Sequence, residues 1–236
     1  MNLLQTLQEE QSKGYKNGLY HHIQITFAYD SNHIEGSTLT QEQTQMIYEK
    51  DTFLANPSQI IKTNDILEAK NHFKAFDFIL QSVYEKLSLE YLKKLHSIVK
   101  QNCSDIQIIG DFKQSPNFIG ELKTTRPKEV QKELEKLLKS YDMKSSKTIN
   151  ELIDFHFHFE RIHPFEDGNG RVGRLLAFKE ALKNDIIPFI IDEEHRLFYY
   201  RGLREYETNK GYLTDTILAC QDRLKEILEY YEGDNA

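Results

Sequence analysis

An all-α domain with one β-hairpin is the fold class that this sequence predicts. Three observations carry the expectation. Apolar residues recur three and four apart through most of the chain, the period of an amphipathic helix. Helix-opening residues and glycine or proline stops punctuate those stretches. Only residues 106–125, rich in isoleucine and turn formers, break the helical period and read as extended.

Each element follows from its own residues. Residues 2–12 carry Leu3, Leu4 and Leu7, a short amphipathic helix. A second helix spans 17–35, against the low propensity of β-branched Ile23, Ile25 and Thr26, and ends at Gly36. Thr40-Gln41-Glu42-Gln43 has capping-box spacing and opens a third. Asn56-Pro57 breaks the chain. Residues 63–85 present Ile66, Leu67, Phe73, Phe76, Leu80 and Val83 as one stripe, and Ser88 caps a helix through Val99. After the hairpin, Pro127 opens a helix with Val130, Leu134, Leu137, Leu138 and Tyr141 on one face. Residues 148–162 turn Leu152, Phe155, Phe159 and Ile162 inward and lead into His163. A short buried segment, 186–191, precedes two helices near 193–208 and 211–231.

The chain has 236 residues, enough for one domain or one domain with a small extension. Its net charge of −7 argues against a nucleic-acid scaffold, which would show a basic face. The two cysteines, Cys103 and Cys220, lack metal-type spacing and are expected as free thiols in a reducing compartment. The sequence shows neither a secretory signal pattern nor an apolar run near the ~18 residues of a spanning helix. A cytoplasmic protein without membrane contact is expected. A homo-oligomer is compatible with these features.

Chemistry concentrates in His163-Pro164-Phe165-Glu166-Asp167-Gly168-Asn169-Gly170-Arg171-Val172-Gly173-Arg174. His163 can exchange a proton near neutral pH. Asp167 is a hard oxygen ligand suited to Mg²⁺. Gly168 and Gly170 let backbone N–H groups approach a ligand closely. The stretch runs into a helical pattern, and a helix N-terminus with free N–H groups is an anion site. Arg171 and Arg174, three apart, share a helix face and can fork onto phosphate oxygens. Pro164 stops the preceding helix and so fixes where His163 points. A triphosphate site with a metal and a base is the reading.

These residues resemble the signature of the Fic family, HPFx(D/E)GNGRxxR, with every fixed position present. The resemblance implies a Fic-fold helical bundle and transfer of AMP from ATP to a Tyr, Thr or Ser hydroxyl of a target protein and to the chain itself. His163 would be the general base. Asp167 would hold Mg²⁺ across the α- and β-phosphates. Gly168, Asn169 and Gly170 would cradle the phosphates, with Arg171 and Arg174 further out. Residues 106–125 would be the flap that aligns the target by strand addition, its Asn117, Phe118, Ile119 and Gly120 touching nucleotide and target. Lys113 stands where relatives often carry arginine in a G-x-aromatic-R pattern. Tyr199, Tyr200 and Leu203 would stack the adenine, and Asn209 would hydrogen-bond it.

Ser31-Asn32-His33-Ile34-Glu35-Gly36 resembles the inhibitory motif (S/T)xxxE(G/N) of autoinhibited Fic proteins, of the group whose inhibitory helix lies in an N-terminal extension. Ser31 and Glu35 share one helix face, and Glu35 would pair with Arg174, taking the arginine that should bind the γ-phosphate. The resemblance also implies AMP removal through a water that Glu35 orients. The chain then divides into an N-terminal helical extension, 1–60, carrying that motif and a core, 61–236, with its flap near 106–125 and active-site loop at 163–174.

Three rivals stand beside this reading. A zinc hydrolase built on His156, His158 and His163 is disfavoured, because a His-x-His pair on a helix points roughly 200° apart. A transferase of another nucleotide or phosphate-containing group shares the motif. An inactive binding module would not need His163, Asp167 and Arg174.

Overall fold

The computed structural model describes residues 2–55, 57–120, 122–144 and 147–233. Ten helices and one two-stranded antiparallel sheet are found there: α1 (Leu3–Lys13), α2 (Leu19–Ile34), α3 (Gln41–Lys50), α4 (Thr63–Gln81), α5 (Leu89–Val99), β1 (Phe118–Ile119), β2 (Leu122–Lys123), α6 (Pro127–Asp142), α7 (Ile149–Ile162), α8 (Asn169–Lys183), α9 (Arg196–Glu205) and α10 (Gly211–Gly233). The all-α expectation holds.

Helix starts sit where side chains can satisfy the free N–H groups of a first turn. Asn2 accepts from the Gln5 N–H and Ser88 from the Tyr91 N–H. Thr40 with Gln43, and Thr148 with Glu151, form complete capping boxes. Pro127 takes the first position of α6, where its missing donor costs nothing. α4 stops at Gln81, short of the expected Glu85: the Ser82 N–H and hydroxyl both end on the Phe78 carbonyl, and the Glu85 N–H turns back to the Ser82 carbonyl in a separate turn. Pro57 stands in a turn; Asn56, the other half of the expected break, lies outside the described residues.

α8 is the axis of the packing. Every residue from Asn169 to Leu182 is buried, as expected of a helix enclosed on all sides. Phe178 on α8 stacks on Phe27 of α2 with ring centroids 5.1 Å apart, and Phe76 of α4 meets Phe178 edge-on at 5.3 Å. Leu4 and Leu7 of α1 join the same core, so the N-terminal helices share it with α4, α5, α7 and α8. A second cluster, including Ile34, Phe157, Ala177, Tyr199, Leu203, Leu213 and Ile217, fastens α9 and α10 to α7, α8 and the end of α2. No helix among the described residues is long and apolar enough to cross a membrane.

The hairpin is narrower than the sequence suggested. Only Phe118↔Lys123 and Ile119↔Leu122 pair, and residues 106–116 form no strand. The reason is where their donors go. The N–H groups of Gln107 and Ile108 bond Glu166 Oε2, that of Gly110 bonds His96 Nδ1, and that of Lys113 bonds the Pro164 carbonyl. Those donors brace a loop instead of a ladder.

Candidate active site

Six residues, 163–168, join α7 to the N-terminus of α8 and bring His163 and Asp167 to a cavity. His163 caps α7 in the left-handed region, φ 50° and ψ 63°, a conformation costing a non-glycine residue roughly 1–2 kcal/mol. It persists because the loop around it is held from several sides. Phe165 donates its N–H to Asn169 Oδ1 at 2.8 Å and accepts from Asn169 Nδ2 at 3.0 Å. Asn117 Nδ2 donates to the same carbonyl at 2.8 Å. The His96 ring lies flat on Phe165, centroids 4.0 Å apart, and its Nε2–H donates to the Asp167 carbonyl at 3.1 Å while Nδ1 accepts from Gly110. Gly168 follows at φ 77°, a turn that only glycine adopts without strain.

Burial, followed by the Lys113 ammonium, pushes the His163 imidazole down to about 4. It is therefore neutral at pH 7. Its Nδ1 lies 3.3 Å from the Glu160 carbonyl oxygen. A carbonyl can only accept, so Nδ1 carries the proton and Nε2 keeps its lone pair. Lys113, 3% exposed, donates to Asn117 Oδ1, Thr124 Oγ1 and the Ile162 carbonyl. It ties the base of the hairpin to the end of α7. Burial lowers its own ammonium to about 8.

Asp167 sits inside a charged lattice. Its Oδ2 accepts from Lys100 Nζ at 2.6 Å and Arg171 Nη2 at 3.1 Å. Burial works against the carboxylate, but Arg171 and Lys100 hold it down at about 2. Lys100 is fully buried and also reaches Glu68 at 2.5 Å and Asp105 at 3.0 Å. Arg171 completes the lattice with a short ion pair to Glu68 and a longer contact to Asn32. Arg171 thus spends Nη1 on Glu68 and Asn32 and Nη2 on Asp167, and Arg171 does not line the cavity. The shared helix face expected of the two arginines does not carry both guanidinium groups to the cavity.

Arg174 does reach it. Its Nη2 donates to Glu35 Oε1 at 2.7 Å and to the Ser31 carbonyl at 2.8 Å, and its Nε to Ser31 Oγ at 3.0 Å. α2 therefore crosses the start of α8 with Ser31 and Glu35 on the facing side. Gly170 makes the approach feasible: a Cβ there would lie 2.2 Å from Glu35 Oε1. Glu160 is buried beside this pair. Burial, helped by the Glu35 charge and opposed by Arg174, raises its carboxyl to about 8, and its Oε1 has no hydrogen-bond partner among the described residues.

The cavity, about 660 Å³, is lined by Glu35, Glu160, His163, Asp167, Gly170 and Arg174 on one side, with Tyr199, Tyr200, Leu203 and Arg204 on another. Phe118, Ile119, Gly120 and Leu122 of the hairpin close over it. Tyr199 is buried with its hydroxyl 2.8 Å from His156 Nε2. Tyr200 donates to the Ile34 carbonyl at 3.0 Å, joining α9 to the end of α2. Asn117 braces the loop instead of lining the cavity. Asn209 is not brought to it either: its Oδ1 accepts from the Gly211 N–H and caps α10. His158 faces out toward Asp154. Sequence reasoning missed Lys100, His96, Glu68 and Glu160. A lysine just past a helix looks like a solvated end charge, and nothing local marks a histidine that stacks on a residue 69 positions later.

Residues 86–180 match the family model described as Fic/DOC family. The chain is 27% identical to "Protein adenylyltransferase Fic" of Nematostella vectensis over 82% of this chain and 44% of that protein. It is 25% identical to "Protein adenylyltransferase fic-1" of Caenorhabditis elegans over 88% of this chain and 41% of that protein. The chain thus spans less than half the length of these curated relatives. Among solved structures, a Fic domain containing signaling protein from Bacteroides thetaiotaomicron superposes with TM-score 0.80 at 20% identity, over 99% of this chain and 97% of that one. A Fic family protein from Desulfovibrio desulfuricans superposes with TM-score 0.73 at 21% identity, over 97% and 74%. These likenesses identify the bundle with its small hairpin as the Fic fold.

Proposed function

We propose that this chain, which carries a Fic/DOC-family domain at residues 86–180, is a protein adenylyltransferase held off by its own Glu35. The observation that carries the reading is a neutral imidazole, His163, with its Nε2 lone pair unspent, opening on the same cavity as Asp167, Gly170 and Arg174. A base, a carboxylate and a helix N-terminus then meet at one concavity, as transfer from a nucleotide requires.

The triphosphate of ATP lies along the N-terminus of α8, where free N–H groups and the helix dipole favour anions. Tyr200 and Leu203 flank the adenine. A target segment pairs along the hairpin, which presents a Tyr, Thr or Ser hydroxyl to His163. Nε2 takes the hydroxyl proton as the oxygen attacks the α-phosphorus; the bond to the β-phosphate oxygen breaks, and pyrophosphate leaves. General-base catalysis of this kind contributes ~10²–10⁴-fold. Asp167 fits Mg²⁺: it is a carboxylate held anionic, lining the cavity, with one oxygen already fixed by Lys100 and Arg171. The bound ion would supply neutralisation of phosphate charge.

Arg174 is the group left to bind the outermost phosphate, and Glu35 competes for it. Residues 1–60 act as the regulatory extension in this reading, with 61–236 as the catalytic core. Glu35 displaced from Arg174 is also the residue to orient a water for AMP removal. Incubation of the Glu35→Gly variant with Mg²⁺ and α-labelled ATP tests the proposal: that variant or an added protein should retain label, and absence of label from both would refute it. Label delivered equally well from UTP would favour another nucleotidyl transfer.

A further inference from the structure

A second concavity, about 410 Å³, opens on the far side of α2 from the reaction cavity, between α2, the segment before α9, and α10. At its wall, Asp192, His195 and Cys220 each bring one donor atom within 4.8 Å of the others; Asp192 and Cys220 line the concavity and His195 lies behind them. His195 Nδ1 is 2.8 Å from Asp192 Oδ1, and Arg223 pairs with Asp192 Oδ2. Asp192 and Cys220 are themselves buried. An independent feature faces the same space. Asp30 of α2 lines the concavity, is only 6% exposed, and accepts no hydrogen bond among the described residues. It faces the charges of Asp192 and Arg223. A buried carboxylate without a hydrogen bond is costly unless a cation meets it.

We propose that Asp192, His195 and Cys220 form a three-ligand binding site for Zn²⁺, with the Asp30 carboxylate nearby as an uncoordinated negative charge. One sulfur, one nitrogen and one carboxylate oxygen are a zinc-type donor set, with water to complete it, whereas Mg²⁺ would take oxygen alone. Asp30, Asp192 and a Cys220 thiolate supply three negative charges beside Glu193 and Glu194 of the same concavity, against one positive charge on Arg223, so the surroundings favour a divalent cation. Binding releases the thiol proton to solvent and moves the His195 ring proton to Nε2, so that Nδ1 ligates. The ion would tie the segment that opens α9 to α10, and would thus brace the helix that carries Tyr200.

The test uses the untagged full chain, stripped with EDTA and then titrated with Zn²⁺ against a chromophoric chelator. One equivalent should bind, and Cys220→Ser or His195→Ala should weaken it by more than about tenfold, the loss that disturbing even an outer partner of a metal ligand brings. His158→Ala, at an exposed histidine outside the cluster, should leave it unchanged. Co²⁺ added to the wild-type chain provides a readout independent of how variants fold: a thiolate-to-metal charge-transfer band should appear. Absence of that band, or zinc uptake unaltered in a folded Cys220→Ser variant, would overturn the proposal.

Discussion

Arg174 Nη2 donates to Glu35 Oε1 at 2.7 Å, joining residues 139 positions apart in the chain. The same guanidinium bonds Ser31 twice, through Oγ and the carbonyl. The α8 arginine that reaches the cavity is therefore already occupied, and its occupant belongs to the helix upstream of the core. Glu35→Gly leaves Ser31 in place and removes only the carboxylate. Self-labelling from α-labelled ATP should then rise on the order of 100-fold, the scale on which about 1 Å of misplacement of a reacting group changes a rate. Unchanged labelling would separate the ion pair from control.

Lys100 makes a second relationship testable. Its ammonium is fully buried among Glu68, Asp105 and Asp167. Lys100→Met should destabilise the fold by roughly 1–3 kcal/mol, because it leaves the buried Glu68 carboxylate to Arg171 alone, and should raise the Mg²⁺ concentration needed for half-maximal transfer. Adding Glu68→Gln should recover part of the stability in urea unfolding. If both variants unfold like wild type, the lattice does not hold Asp167.

Lys113 links the flap to the base. Lys113→Met removes the charge that, after burial, depresses His163, and it removes the hydrogen bonds to Asn117 and Thr124. The acid limb of the transfer rate, set near about 4 in the wild type, should move to higher pH, because the imidazole must be neutral to accept a proton. Target labelling should fall more than nucleotide affinity. An acid limb that stays put would show that Lys113 does not act on His163.

Stability should be greatest near pH 6.5, measured in EDTA by denaturant unfolding. His96 and His163 are held to about 4, and His72 and His156 to about 3, all by burial first. Their contribution is present above the unfolded histidine value and is lost as pH falls toward the folded ones. Asp30 and Glu160, raised by burial to about 7 and about 8, work the other way. Their contribution is present at low pH and is lost as pH rises through those values. Between pH 5 and 6 the unfolded chain thus binds four protons more on the histidines and two fewer on the carboxyls, a net of two. The slope is roughly 2.7 kcal/mol per pH unit, rising with pH. A stability flat from pH 5 to 8 would contradict these environments.

The helices were legible because their signals are local. Ser88, the Thr40–Gln43 pair and Pro127 each satisfy or remove donors within one turn, so sequence spacing reports them directly. Ser31 and Glu35 were legible for a related reason, since four residues in a helix fix a shared face. The site's second tier was not. Whether Arg171 points to the cavity or to Glu68, whether Ile106–Phe112 pairs as a strand or lends its N–H groups to Glu166 and His96, and whether Lys100 is solvated or buried all depend on partners far away in sequence. Asn209 lies apart from the cavity lining, and its Oδ1 is met locally by the Gly211 N–H. Burial of Asp30, Glu160 and Cys220 was likewise invisible to periodicity.

The most direct measurement compares Glu35→Gly with Glu35→Gly/His163→Ala, each incubated with Mg²⁺ and ATP labelled at either the α- or the γ-phosphate. The account predicts covalent label from the α-position only, in the first variant only, with nucleotide binding retained in both. Equal α-label in the double variant, or label arriving from the γ-position, would contradict it.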